Sequence, residues 1–301
     1  MINSAKTAKL LLSVLSMVVA SSVANATVYG NDPRKQASPD ENPIYQRVGV
    51  ITKAGTDEVL GTAWLSGECQ ITAMYHSVFF KERAASGKVI TSRGKKGFAV
   101  DFHIGLKPGK AKSYEQTVRA EVVDFGNYMP GDTTGTFEDY AHLKLDSCVG
   151  KELGYLEVKP SKGTFEKPTG ELMVVGFHQD RYFSQGGITV ETGCKAQDLS
   201  AGVGGASVDC STMPMCSGCP VLERQVDGRY LVTGMISSGF ANHAERYSVE
   251  NSNWMVLSDV FSDSLIKARG EEVAPHILRA RAPQSTSKAT KLATAPRAVV
   301  R

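Results

Sequence analysis

Residues 47–79 read RVGVITKAGTDEVLGTAWLSGECQITAMYHSVF, and this stretch decides the fold. Three segments rich in Val, Ile, Thr and aromatic residues, Arg47 to Thr52, Gly61 to Leu65 and Gln70 to Met74, are separated by clusters of Lys, Gly, Asp and Glu. Each is the length of a strand, and the separators are turn formers. Further out, the pattern recurs at Lys88 to Thr91, Gly97 to Phe102, Val118 to Val123, Tyr140 to Leu145, Leu172 to Gly176, Gly187 to Glu191 and Tyr230 to Ile236, with no intervening helical period. Many short strands without crossover helices predict an all-β, antiparallel barrel or sandwich rather than a parallel α/β sheet. The exception is Asn253 to Ala268, where Trp254, Leu257, Val260, Phe261, Leu265 and Ile266 recur at roughly helical spacing. Asn253 or Ser252 can cap it and Gly270 can end it, so a C-terminal helix over about 253–268 is expected.

The 301 residues are 42% hydrophobic and 22% charged, a globular balance that excludes a wholly disordered, collagenous or many-span membrane chain. The first 26 residues carry Lys6 and Lys9, an apolar run from Leu10 to Ala20 and then Ala24-Asn25-Ala26. That run is about half the ~20 residues a spanning helix needs, and small residues at −3 and −1 fit signal peptidase. A signal peptide over 1–26, cleaved after Ala26, is expected, with a secreted or periplasmic destination and no stable membrane insertion. A polar arm over 27–44 follows. Residues 273–301 hold six cations and no acid and lack periodicity, so 270–301 reads as a disordered basic tail. Removing the leader's and tail's eight cations from the net +3 leaves −5 on the body, which argues against a nucleic-acid partner. Six cysteines, Cys69, Cys148, Cys194, Cys210, Cys216 and Cys219, in an oxidising compartment are read as three disulfides, and spacing leaves all 15 pairings open.

Three further places carry chemistry. Cys69-Gln-Ile-Thr-Ala-Met-Tyr-His76 is a strand-like run ending in an imidazole. Glu138-Asp139-Tyr-Ala-His-Leu-Lys-Leu145 puts a carboxylate just before an alternating strand. Met215-Cys216-Ser217-Gly218-Cys219-Pro220 sets a hydroxyl in a tight turn, followed by Leu231-Val-Thr-Gly-Met-Ile-Ser-Ser-Gly239. Acyl transfer by serine needs these groups: a hydroxyl, a base to take its proton, a carboxylate to orient the base, and N–H groups for the oxyanion.

This ordered His, Asp and Ser series, with its flanks, resembles the chymotrypsin-like serine proteases, especially the bacterial secreted branch related to the glutamyl endopeptidases. Gly61-Thr-Ala-Trp64 resembles the family's Gly-Thr-Gly-Trp strand, and Gly176-Phe-His-Gln-Asp180 resembles a Gly-Tyr-x-x-Asp segment of that branch. The resemblance spans about 45–269. It implies two antiparallel six-stranded β-barrels, one over about 45–150 and the second over about 151–250, with the active site between them. It implies His76 as general base, Asp139 as its orienter, Ser217 as nucleophile, and the N–H groups of Met215 and Ser217 as oxyanion hole. Ser211 is then placed at the base of the primary pocket, and Ser237, Ser238 and Gly239 along the substrate backbone. The substrate is a protein or peptide, no metal or organic cofactor is needed, and the chain acts as a monomer. In that frame Cys69 and Cys148 are neighbours in the first barrel, Cys194 and Cys210 close a loop in the second, and Cys216 pairs with Cys219 around the nucleophile.

Departures from the pattern define an alternative, a protease-like protein that binds other proteins and has lost efficient catalysis. Met215 stands where Gly is usual, Cys216 replaces the Asp that pairs with a new N-terminus in the trypsin branch, Cys219 replaces a small Gly or Ser, and Ala63 and Ala73 replace Gly and Thr. Neither an acid at Ser211 nor a His at Ile236 marks basic or glutamyl specificity. The Cys-x-x-Cys spacing of Cys216 and Cys219 lacks the strand-to-helix context of a redox dithiol, and His178 beside Asp180 reads as a surface turn.

Overall fold

The computed structural model describes residues 26–271 except 80, 84–88, 92–95, 111, 128–137, 201, 240–241 and 245. The leader before Ala26 and the basic tail beyond 271 lie outside the described residues.

In the first unit, six strands close into a barrel in the order Ala141–Leu145, Gln70–Ala73, Val59–Gly67, Val48–Lys53, Ala99–Ile104 and Gln116–Phe125, the last pairing back to the first. Alternation sets the inner face. In Ala99–Ile104, Val100, Phe102 and Ile104 are buried while Ala99, Asp101 and His103 are partly exposed. The inward residues join Ile51, Leu65, Ile71, Val118 and Leu143 in one core. Closure leaves no edge strand unpaired, the usual weakness of a sheet.

The second unit is an eight-stranded sheet in the order Ala196–Ser200, Gly205–Val208, Asn253–Leu257, Tyr230–Gly239, Pro220–Arg224, Leu172–Gly176, Ile188–Cys194 and Lys35–Ala37. Only Lys195 separates Ile188–Cys194 from Ala196–Ser200, so one bent strand stands first in that order and again next to its last member, Lys35–Ala37. Its first half pairs with Leu172–Gly176 and its second half with Gly205–Val208. Through this bent strand the sheet curls back on itself, since the strand's two halves pair with Leu172–Gly176 and Gly205–Val208 and the strands between them pair in sequence.

Two boundaries differ from the sequence reading. Asn253–Leu257 is a strand held on both sides, by Gly205–Val208 and Tyr230–Gly239, and the C-terminal helix covers only Ser258–Ala268. A central strand buried on both faces is apolar without alternation, and such a run is indistinguishable by period from the start of a buried helix. The polar arm is also part of the fold. Lys35–Ala37 adds to the edge of Ile188–Cys194, and Thr27–Tyr29 runs parallel to Asn242–Ala244.

A second core joins the two units, with Val50, Trp64 and Met74 from the first meeting Met173, Val175, Leu222, Val232 and Phe261. Three disulfides, Cys69–Cys148, Cys194–Cys210 and Cys216–Cys219, account for every cysteine. No helix among the described residues is long and apolar enough to cross a membrane.

Candidate active site

Strand register builds the first half of the site. Ala141 pairs antiparallel with Ala73, so Asp139, two residues before it, is carried alongside the turn Tyr75–Ser77 that follows the partner strand. The turn is anchored by Tyr75, buried and stacked on Phe125 with ring centroids 5.0 Å apart. Asp139 is completely buried. Its Oδ1 accepts the His76 backbone N–H at 2.9 Å, and its Oδ2 accepts both His76 Nδ1 at 2.6 Å and the Ser237 hydroxyl at 3.0 Å. With Nδ1 donating to the carboxylate, Nε2 is the ring's acceptor. Burial lowers the His76 pKa, but the charge of Asp139 and its hydrogen bond outweigh that, so the ring titrates above the usual 6.5.

The second half is a turn. Ser217 is buried, and its Oγ donates to the Ser237 carbonyl at 3.4 Å. Ser237 therefore touches Asp139, 98 residues away, with its hydroxyl and Ser217, 20 residues away, with its carbonyl, at the seam of the two units. The turn is pressed against the first barrel. Thr62 N–H donates to the Ser217 carbonyl at 2.9 Å, and Gly218, at φ +91°, lies so close that a Cβ there would stand 2.1 Å from the Thr62 carbonyl oxygen. Only glycine fits.

Met215 has φ +79°, the left-handed region, which costs a non-glycine residue on the order of 1 to 3 kcal/mol. Contacts on both sides hold it there. Gln179 N–H donates to the Pro214 carbonyl at 2.8 Å, and the Thr62 hydroxyl donates to the Met215 carbonyl at 2.8 Å. The Cys216–Cys219 bond and the Cys219 N–H to Cys216 carbonyl bond close the turn around Ser217.

Beside Ser217 lies a cavity of ≈ 10 Å³, about the space of one water, lined by residues including Ala26, Thr212, Met213, Pro214, Ser237 and Ser238. Ser211 and Gly239 are not in its lining. The Ser211 hydroxyl accepts the Tyr29 N–H at 3.0 Å, and its own N–H donates to Glu191 at 2.7 Å. The cause is the arm: Thr27 is completely buried, its carbonyl accepting from Thr212 N–H and its N–H donating to Asn253 Oδ1. Glu191 is buried with it, and this burial lifts its pKa to about 7.

Sequence reasoning missed Gln179, Thr62, Glu191 and the arm, because each acts through a backbone contact with a remote segment. His178 was expected on a surface turn, yet it is buried, its Nδ1 paired with the Thr189 hydroxyl. Burial first, then Arg34 and Arg181, hold its pKa well below the ordinary value, so it stays neutral.

No family model and no curated protein matches this chain. A solved structure described as a Glu endopeptidase in complex with MPD aligns with a TM-score of 0.58 at 18% identity, covering 81% of this chain and 100% of that chain. A likeness at that identity speaks for architecture alone, and the architecture is that of a chymotrypsin-like protease fold, with one closed six-stranded barrel, a second sheet and a C-terminal helix.

Proposed function

We propose that this chain is a secreted or periplasmic serine endopeptidase that hydrolyses peptide bonds through an acyl-enzyme on Ser217. The observation that carries the reading is the buried Asp139, whose two oxygens hold the His76 ring and backbone and the Ser237 hydroxyl, while the Ser237 carbonyl receives the hydroxyl of Ser217. Geometry of this kind orients a base and neutralises the imidazolium that forms as the base takes a proton. For attack, the Ser217 hydrogen turns from the Ser237 carbonyl to His76 Nε2, and the oxygen adds to the substrate carbonyl. Met215 and Ser217 N–H groups receive the oxyanion, and His76 returns its proton to the leaving amine. Water then repeats the sequence on the acyl-enzyme. Ser237 to Gly239 present a strand edge to the substrate backbone. Every group in this scheme belongs to the chain itself, and three disulfides with a leader-like N-terminus support an oxidising compartment.

A second reading, a protease-like protein that binds proteins without cutting them, is favoured by the small cavity beside Ser217, with room for about one water. Labelling with an active-site-directed fluorophosphonate decides between them. Modification that disappears in Ser217→Ala supports the endopeptidase, and folded wild-type protein that takes up no label at any pH supports the binder.

A further inference from the structure

The nucleophile turn contains a conformational tension. A trans peptide points its C=O and N–H in opposite directions, so the Pro214 carbonyl fixes where the Met215 N–H aims. Met215 sits at φ +79°, and rotating the Pro214–Met215 peptide would let it leave that strained region. The peptide is kept in place from one side by the Gln179 N–H, which donates to the Pro214 carbonyl at 2.8 Å. In the rotated state that donor would face another donor, the Met215 N–H.

Gln179 is the first residue of the short helix Gln179–Gln185, whose opening N–H groups have no partner within the helix. The N-terminal arm grips this helix at both ends. Arg34, buried within the cluster, donates to Asp180 from both terminal nitrogens, at 3.2 and 2.7 Å, and to Asp32 from Nε at 2.7 Å and Nη2 at 2.8 Å. Arg181 donates to Asp32 at 2.7 Å and to the Arg34 carbonyl at 2.5 Å. At the far end the Gln36 amide donates to the Gln185 and Gly186 carbonyls. Two Arg and two Asp compensate one another, and buried His178 is kept neutral by its burial and by the nearby charges of Arg34 and Arg181. Bidentate guanidinium pairs of this kind fix orientation as well as charge.

We propose that the Asp32–Arg34–Asp180–Arg181 cluster is a clamp through which the N-terminal arm, by way of Gln179, holds the Pro214–Met215 peptide in its oxyanion-binding orientation. Arg34 and Asp180 are then positioning residues for the reaction. The proposal rests on the endopeptidase reading, and it assigns the arm a task that an ion pair to Cys216 cannot perform in this chain, because that residue carries a disulfide in place of a carboxylate.

The test measures the second-order rate of fluorophosphonate labelling of Ser217 against pH, together with amide hydrogen exchange at Gln179, in the wild type, Asp180→Asn, Arg34→Met and the control Arg229→Met, whose ion pairs with Asp227 and Glu157 lie elsewhere. Removing one oxyanion donor outright costs ~10² to 10³ in rate, so loosening one is expected to slow labelling by roughly 10-fold or more. The pH midpoint set by His76 should stay in place, Gln179 exchange should quicken, and Arg229→Met should behave as wild type. A general loss of structure would move the midpoint as well. Asp180→Asn removes one carboxylate from the outer part of the cluster and remains informative if Arg34→Met does not fold. Wild-type rate and exchange in folded Asp180→Asn overturn the clamp. Failure of the wild type to label overturns the endopeptidase reading instead, and Gln179 exchange still judges whether the arm holds the peptide.

Discussion

The two halves of the site are positioned by different means. His76 and Asp139 belong to the first barrel, where a ladder running through Ala73 and Ala141 places them side by side and a closed ring of strands keeps that ladder in register. Ser217 and Met215 belong to a turn of the second unit with no regular structure of its own. That turn is held by a disulfide, a glycine against Thr62, and amide contacts from Gln179 and Thr62. Register is robust because a slip of one residue would turn every side chain to the wrong face. A strained turn is only as stable as the neighbours that press on it. On the proposed endopeptidase reading, His76 and Asp139 should therefore withstand change outside their own side chains, whereas the Met215 and Ser217 N–H groups should respond to substitutions well away from Ser217.

The largest effect is expected within the first barrel itself. Asp139→Asn keeps the shape but offers His76 Nδ1 an amide, so the ring takes the wrong tautomer. Peptide hydrolysis should fall by about 10⁴ in kcat, in protein whose circular dichroism is unchanged. If His76 is the base, it must be neutral to act, and with its pKa raised above 6.5, kcat/KM should rise with pH along an acid limb centred above that value. A limb centred below 6.5 would contradict the ion pair.

Gly218→Ala attacks the turn directly. The new methyl would meet the Thr62 carbonyl at 2.1 Å in a backbone region closed to alanine, so unfolding in urea should show a loss of about 3 kcal/mol or more. A loss below 1 kcal/mol would mean that the turn is not wedged against the barrel.

Glu191 sharpens the comparison from beneath Ser211. Its folded pKa of about 7 exceeds the ordinary 4.5, so the unfolded chain gives up this proton first, and stability falls as pH rises from 4.5 through 7. Glu191→Gln should then be more stable than wild type by roughly 3 kcal/mol at pH 8 and nearly equal to it at pH 4. Thermal denaturation at the two pH values reads this out, and an equal gain at both would exclude titration as the cause.

The smallest effect is expected at Met215→Gly. Relief of the positive φ, offset by the added freedom of glycine when unfolded, should stabilise the chain by about 1 kcal/mol. Fluorophosphonate labelling should quicken as the oxyanion conformation becomes easier to hold. Slower labelling would show that the Met215 side chain does more than occupy the turn.

Residues 47–79 were enough for the β class, because alternation and turn formers are local properties that each strand carries in its own residues. The candidate triad of His76, Asp139 and Ser217 rests on the resemblance, carried by short flanking motifs that are themselves local in sequence. The pairing of Cys216 with Cys219 was an implication of the resemblance, since spacing left all 15 pairings open. What the sequence could not decide was everything made by backbone groups meeting across long separations. Asn253–Leu257 looked helical because burial on both faces erases the period of two, and only two flanking strands made it a strand. Thr27 to Ala37 looked like a polar arm, yet its carbonyls and guanidinium found partners near 180 and 212, beside the segment whose Gln179 N–H meets the Pro214 carbonyl. Side-chain chemistry is written residue by residue, whereas the direction of one peptide N–H depends on which distant donor meets its neighbouring carbonyl, and that donor is identified only when the chain has folded.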